Sequence, residues 1–568
     1  MGLNAALGMA SRSLEVFTAG IQVAGQNVSN ANTPGYIRET LNLEANTPFL
    51  KGNLVFGTGV LADGVVQEID KFLEVRLHAA NTEFGASSAQ NAIYKQLEAE
   101  IRELGDSDLS TSLSNFLATL NDVANQPESA GLRQIAVQEG QQFAADIASL
   151  RSRLDELRVT QTVTIDSLVK EANELIRKID TLNPQIARLE SSGLIKSEAG
   201  ALRTQRYAAL NRLSEIIPIR FRERKDGGVD VFTDNDYLIL SGTFQQLETF
   251  PTVDRNVQVQ SVRLSTTKSE LSQNATGGEL RGIVDGRDIV LGGFIDSLDT
   301  FASNLIFEFN KIHSSGQGLA AFTSVTSEHA AFDATTTLNA AATALPFTPT
   351  HGSFQLKVTN TISGLTETST ISIDLDGIGT DTTLNSLAAD LTAVNNITAT
   401  VTANGRLQIS SASNYEFQFA EDTSGVLASL GINTFFSGRG STDIGVNSTL
   451  SSDPRFLATA RGGGPGDSSN ILQLAEFHRQ SLSALNGSTL DEFYQTTISS
   501  VSQASSSQTT LSDGFRTFRD SLKSQREQFS GVSIDEETVK VLEFQKSFQA
   551  AARLISTIDE LFTVLLTM

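Results

Sequence analysis

The residues able to do chemistry are few, and their spacing argues against catalysis. The five histidines are His78, His313, His329, His351 and His478. None has a second histidine at a helical or zinc-type spacing, so each is expected to be a satisfied or surface histidine. Asp374-Leu375-Asp376-Gly377-Ile378-Gly379 has the start of a calcium loop. Its glycine follows the second aspartate directly and no glutamate closes it, so a turn after a strand is the better reading. With no cysteine anywhere, disulfides, thiol nucleophiles and cysteine-based metal sites are excluded. No phosphate-binding glycine loop, dinucleotide fingerprint or nucleophile elbow occurs. No catalytic residue, cofactor or metal is expected, and the protein is read as a non-enzyme.

Composition narrows the classes further. The 568 residues exceed one ordinary domain. Hydrophobic residues make up 39%, enough for real cores, and 32 phenylalanines against six tyrosines and no tryptophan make those cores phenylalanine-rich. A formal charge of −23 with no Lys/Arg cluster opposes binding to nucleic acid or anionic membranes. No uninterrupted apolar span long enough for a transmembrane helix is present. The first residues lack the basic and apolar regions of a secretory signal. The chain is therefore expected to stay in the cytosol or to leave by a route that reads no cleavable signal.

The elements that would position functional residues are helices at both ends. Leu7, Ala10, Leu14, Phe17, Ile21, Ala24, Val28 and Ala31 alternate spacings of three and four, a heptad seam. The rest of that helix is almost uncharged, with Arg12 and Glu15 as exceptions, which suits neighbours on several sides. Val541, Phe544, Phe548, Ala551, Ile555, Ile558, Phe562 and Leu565 repeat the pattern. Ser533 and Glu536 fit a capping box that opens the helix. The two seams are expected to pair.

Between these ends the chain reads as nested layers. Residues 86–215 are expected to be helical, with a long helix marked by Leu150, Leu154, Leu157, Leu168, Leu175, Ile179, Leu182, Ile186 and Leu189, kinked at Pro184. Residues 216–265 turn to period two, with a hairpin at Asp226-Gly227-Gly228. Helix returns at 279–313. Residues 320–460, rich in Thr, Ser, Asn, Asp and Gly, read as a β-rich insert with strands near 354–358, 371–375, 407–409 and 415–419 and a helix at 384–394. Helix resumes at 468–530, with Val501, Ala504, Leu511, Phe515, Phe518, Leu522 and Phe529 on one stripe. The fold class is mainly α with β-rich parts: paired terminal coiled-coil helices, a long helical-bundle domain with a small β-hairpin region, and an inserted β-rich (α+β) outer domain. The expected division is 1–85 with 531–568, 86–319 with 461–530, and 320–460.

Two stretches carry a family resemblance. Gln26-Asn27-Val28-Ser29-Asn30-Ala31-Asn32-Thr33-Pro34-Gly35-Tyr36 resembles the N-terminal signature of flagellar rod, hook and hook-associated proteins. Gly531-Val532-Ser533-Ile534-Asp535-Glu536-Glu537 with Leu542-Glu543-Phe544-Gln545-Lys546-Ser547-Phe548-Gln549-Ala550-Ala551-Ala552-Arg553-Leu554-Ile555-Ser556-Thr557 is similar to the C-terminal signature of that axial superfamily. The long middle helices and the segment Asp422–Phe436 resemble the FlgK family, hook-associated protein 1. The resemblance implies a ring of subunits between hook and filament, without catalysis, cofactor or metal. It implies export through the flagellar type III apparatus to an extracellular junction after a cytoplasmic stage. It also implies contacts with the hook protein, the second junction protein (hook-associated protein 3) and copies of itself, and a dedicated export chaperone on the C-terminal helix.

The expected assembly interface is Leu7, Leu14, Phe17, Ile21, Val28, Pro34, Gly35, Tyr36, Val541, Phe544, Phe548, Ile555, Ile558, Phe562 and Leu565. The terminal seams are expected to be poorly ordered in the free monomer and to order on incorporation. The alternatives are a hook or other axial protein and, from a different class, a type III secreted translocator or effector. Circular dichroism separates the first pair. A helix-dominated spectrum is expected, whereas dominant β content would mark a hook protein.

Overall fold

The computed structural model describes residues 2–101, 108–190, 196–234, 236–271 and 276–567. It is 56% helix and 18% strand, the strands forming small antiparallel sheets. The described contacts divide the chain into two compact units. The first comprises Met1–Tyr94, Arg158–Ile289 and Ser505–Met568; the second comprises Lys95–Leu157 and Val290–Ala504.

The first unit contains both terminal helices, Gly2–Asn30 and Ile534–Thr567. Between Tyr36 and Asp70, strands Glu39–Ala45 and Val60–Gln67 pair antiparallel, and a smaller hairpin, Phe49–Lys51 with Leu54–Phe56, extends from them. The helix expected to begin near residue 86 begins at Lys71, where Asp70 caps it by accepting from the Phe72 and Leu73 backbone N–H groups at 2.9 and 3.1 Å. The expected period-two segment is a four-stranded sheet from Arg220 to Phe244 followed by the hairpin Leu247–Asp254 and Val257–Leu264. At Asp226-Gly227-Gly228 the Arg224 N–H donates to the Gly228 carbonyl at 2.8 Å, and Gly227 adopts φ +80°, which favours glycine. Val231, Leu238 and Ile239 are fully buried there.

The helical stretch expected over 86–215 is four helices: Lys71–Ile101, Leu109–Asn125, Ala130–Glu190 and Gly200–Ile216. Residues 102–107 and 191–195 lie outside the described residues. The helix Ala130–Glu190 continues past Pro184. Its predicted stripe is largely buried, although Leu189 at the end is exposed. Helix 278–314 contains a π-helical turn at Gly286–Leu291. By length and composition 278–314 is apolar enough to cross a membrane, but 56% of its most apolar window is buried inside the protein, as in a core helix.

The second unit is organised around phenylalanine, as the composition foretold. Phe116 and Phe309 stand 5.7 Å apart, with Phe435 5.3 Å from each and Phe436 at 5.8 and 5.2 Å. The tilted and edge-on rings are favoured by aromatic quadrupoles. Gly140 admits this cluster, because a Cβ there would lie 2.6 Å from the Phe435 ring. The β-rich insert forms two three-stranded sheets. One orders Thr366–Ile373, Gly352–Asn360 and Tyr415–Ala420; the other orders Ser324–Thr326, Leu407–Ser411 and Ile397–Val401. Helix Leu384–Thr392 opens with a Thr383–Ser386 capping box and buries Leu384, Leu387 and Leu391 in the same core as Phe354, Phe417 and Phe419.

The helix expected over 468–530 is interrupted. It consists of Ser469–Ala475 and Leu490–Ser530, separated by short 3-10 turns. Asn486 and Gly487 take positive φ, which ends a helix, and Thr489 restarts one by exchanging hydrogen bonds with Glu492.

The buried histidines are structural. His313 is held neutral: Nδ1 donates to the Asn433 carbonyl at 2.8 Å, and Nε2 accepts from the Ala458 N–H at 3.1 Å. Burial pushes the pKa values of His78, His313 and His329 down to about 4. As pH falls through about 6.5, the unfolded chain takes up protons that the folded chain refuses until about 4. Stability is therefore complete above that window and falls within it, by up to roughly 3 kcal/mol per histidine. Calorimetric melting at pH 7.5 and 4.5 is expected to show a clear drop of the transition at the lower pH.

Candidate assembly interface

The terminal helices pack along each other. Gly20 meets Phe544 and Asn27 meets Glu537, so the partner's number falls as the first rises and the helices run antiparallel. A Cβ on Gly20 would lie 2.7 Å from the Phe544 ring. The small residue is what lets the ring seat against the opposing backbone.

The buried stripe mixes small side chains with a few larger ones. Ala10, Val16, Gly20, Ala24 and Asn27 are buried on the first helix, and Glu537, Ala551 and Ile558 on the last. Of the predicted interface residues, Ile558 is buried. Leu7, Leu14, Phe17, Ile21, Val28, Tyr36, Val541, Phe544, Ile555 and Phe562 are half-buried. Pro34, Gly35, Phe548 and Leu565 are exposed. Phe548 keeps 38% and Leu565 60% of its surface accessible. Leu542, Leu554, Leu561 and Val564 are exposed beside them. The preceding helix, Leu490–Ser530, repeats this division. In its first-unit part it buries Ser505, Ser512, Leu522 and Ser530 but exposes Leu511, Phe518 and Phe529. The stripe expected from its large residues is thus only partly the buried one: Leu522 is buried, Phe515 is half-buried, and Leu511, Phe518 and Phe529 turn outward.

The Thr-Pro-Gly-Tyr exit builds a polar latch. Tyr36 N–H donates to the Thr33 carbonyl at 3.1 Å, with Pro34 and then Gly35 at φ +73° between them, the signature of a type II turn. This turn brings the Tyr36 hydroxyl 3.0 Å from Asn27 Oδ1, to which it donates. Asn27 is fully buried and uses all its capacity. Its Oδ1 also accepts from the Glu39 N–H at 3.0 Å, and its Nδ2 donates to the Glu39 carbonyl at 2.8 Å and to Glu537 Oε2 at 2.9 Å. Glu537, 1% exposed, also pairs with Arg38 Nε at 3.1 Å and Lys540 Nζ at 3.0 Å. Arg38 N–H donates to the Ser530 carbonyl at 2.8 Å. Burial, then the nearby Glu39 charge, pushes Tyr36 up to about 12, so the phenol remains a donor. Glu39 itself is raised, by burial and then by Glu198.

Asn27, Arg38, Glu39 and Glu537 were missed as site residues. Asn27 and Glu537 nonetheless lie inside the two terminal signatures. The available signal was a cation, Arg38, two residues beyond the tyrosine.

This latch is formed by the two terminal signatures that resemble those of flagellar axial proteins. Residues 94–324 match the flagellar hook-associated protein FlgK helical domain, and residues 523–568 match the flagellar basal body rod FlgEFG protein C-terminal domain. Flagellar hook-associated protein 1 of Escherichia coli (strain K12) is 24% identical over 99% of this chain and 100% of its own length. That of Bacillus subtilis (strain 168) is 25% identical over 56% of this chain and 67% of its own. The solved structure of the flagellar hook junction protein FlgK from Burkholderia pseudomallei superposes with a TM-score of 0.54 at 14% identity, covering 81% of this chain and all of that one. The matched helical domain, the full-length relatives and the solved structure together support a likeness to the family of flagellar hook-associated protein 1. That family is structural, and its place is the flagellum.

Asn27→Ala would strip Glu537, Tyr36 and the Glu39 backbone of partners. Each unsatisfied buried group costs about 1–3 kcal/mol. Hydrogen exchange is expected to accelerate in both terminal helices together, with the second unit unchanged.

Proposed function

We propose that this protein joins hook to filament as a ring of subunits, each contributing its terminal helix pair to a shared inner layer. The observation that carries this reading is the run of accessible apolar side chains on the C-terminal helix: Phe548, Leu554, Leu561, Val564 and Leu565. A monomer gains nothing by exposing them together; neighbouring copies that cover them do. Fully burying one such side chain contributes roughly 1.5–3 kcal/mol, which opposes the entropy cost of ordering the ends. In this reading incorporation and ordering of the terminal helices are coupled.

The proposed partners are the hook protein on one side, the second junction protein (hook-associated protein 3) on the other, and adjacent copies laterally. A dedicated export chaperone would cover the C-terminal helix before type III export, which delivers the chain to the extracellular junction. The role is mechanical, without catalysis, nucleic acid or membrane insertion. Of the layers read from sequence, 1–85 with 531–568 would assemble, 86–319 with 461–530 would brace, and 320–460 would be displayed.

Phe548→Asp tests the coupling. The variant is expected to be secreted, with the second unit folded, yet to be absent from junctions. Normal incorporation would refute the coupling. Electron microscopy of a deletion strain tests the role itself: hooks without filaments and unpolymerised flagellin in the medium are expected, and normal filaments would reject it.

A further inference from the structure

The insert brings together three metal-ligating groups whose proximity is set by strand register. Strands Gly352–Asn360 and Thr366–Ile373 pair antiparallel with Gly352 opposite Ile373. One step further out, His351 therefore stands opposite Asp374. Leu375 turns inward and is only 8% exposed, and the alternation of an extended chain returns Asp376 to the side of Asp374. One nitrogen of His351 and one oxygen from each aspartate lie within 4.8 Å of one another.

The electrostatics of this group call for a cation. His351 Nδ1 is 3.3 Å from Asp374 Oδ1, and that oxygen is closed to solvent and accepts no hydrogen bond. The Leu375 N–H also reaches this Nδ1, at the long distance of 3.3 Å, a contact that a ligand on Nδ1 would displace. An imidazole lone pair and a carboxylate oxygen 3.3 Å apart repel each other unless positive charge stands between them. A proton on Nδ1 is one solution and a metal ion is the other. Two atoms 3.3 Å apart, each about 2.1 Å from a metal, subtend roughly 100°, close to the tetrahedral angle. The loop is already shaped: Ile378 N–H donates to Asp376 Oδ1 at 2.8 Å and Gly377 N–H to Asp381 Oδ1 at 3.1 Å.

We propose that His351, Asp374 and Asp376 hold one divalent transition-metal ion of the zinc type, with water completing its coordination. An imidazole nitrogen with two carboxylates suits zinc and its first-row neighbours better than calcium, which prefers six or more oxygens. The ion would tie the loop 374–382 to the start of strand Gly352–Asn360.

Calorimetric titration of the metal-free full-length protein with zinc chloride tests this. One saturable site per chain is expected. His351→Gln and Asp376→Asn are each expected to weaken it more than about tenfold, without moving the melting temperature of the metal-free protein, since both side chains are exposed. His478→Gln should leave binding unchanged. No saturable binding by the unaltered protein, wild-type affinity in both site variants, or a preference for calcium over zinc would each overturn the proposal.

Discussion

The first unit depends on a buried carboxylate that has been fully partnered. Glu537 would be costly to bury alone, and Arg38, Lys540 and Asn27 make its position tolerable. Because those partners come from both ends of the chain, the interaction specifies more than it stabilises. Only one register of the terminal helices places Asn27 at Glu537 while seating Phe544 on Gly20. Apolar stripes alone would permit sliding by a heptad; a single polar pairing at a fixed height does not.

That register divides the apolar residues into two sets. Small ones make up much of the buried set, and most of the large ones keep part of their surface accessible. On Leu490–Ser530 three serines are buried together with Leu522, while Leu511, Phe518 and Phe529 are exposed. A helix designed only to fold as a monomer would do the reverse, since large side chains gain most from burial. A helix that must first pack within its own chain and then meet copies has reason to keep them outside.

The ends were legible because heptad spacing and capping are local signals. The turn after Asn30 was legible because proline and glycine dictate it. Helix Leu384–Thr392 was legible through its stripe of Leu384, Leu387 and Leu391. What the sequence hid was anything requiring a distant partner. Periodicity marked Ala10, Ala24, Ala551 and Ile558, which are buried, but not Val16, Gly20 or Asn27, because a stripe does not say which edge of it faces inward. The break at residues 476–489 has one local signal, Asn486-Gly487, where both residues take positive φ. His351 and Asp374 looked unrelated at 23 residues' separation, and only antiparallel pairing makes them neighbours.

Asn27 and Glu537 are 510 residues apart in sequence. Nearly all the chain must be present before the latch can close, and the entropy of joining such distant points is recovered only once intervening structure has shortened the path. Until then both ends offer the same uncovered apolar surface, so this molecule has a built-in interval during which its ends are open to any other binder that arrives first.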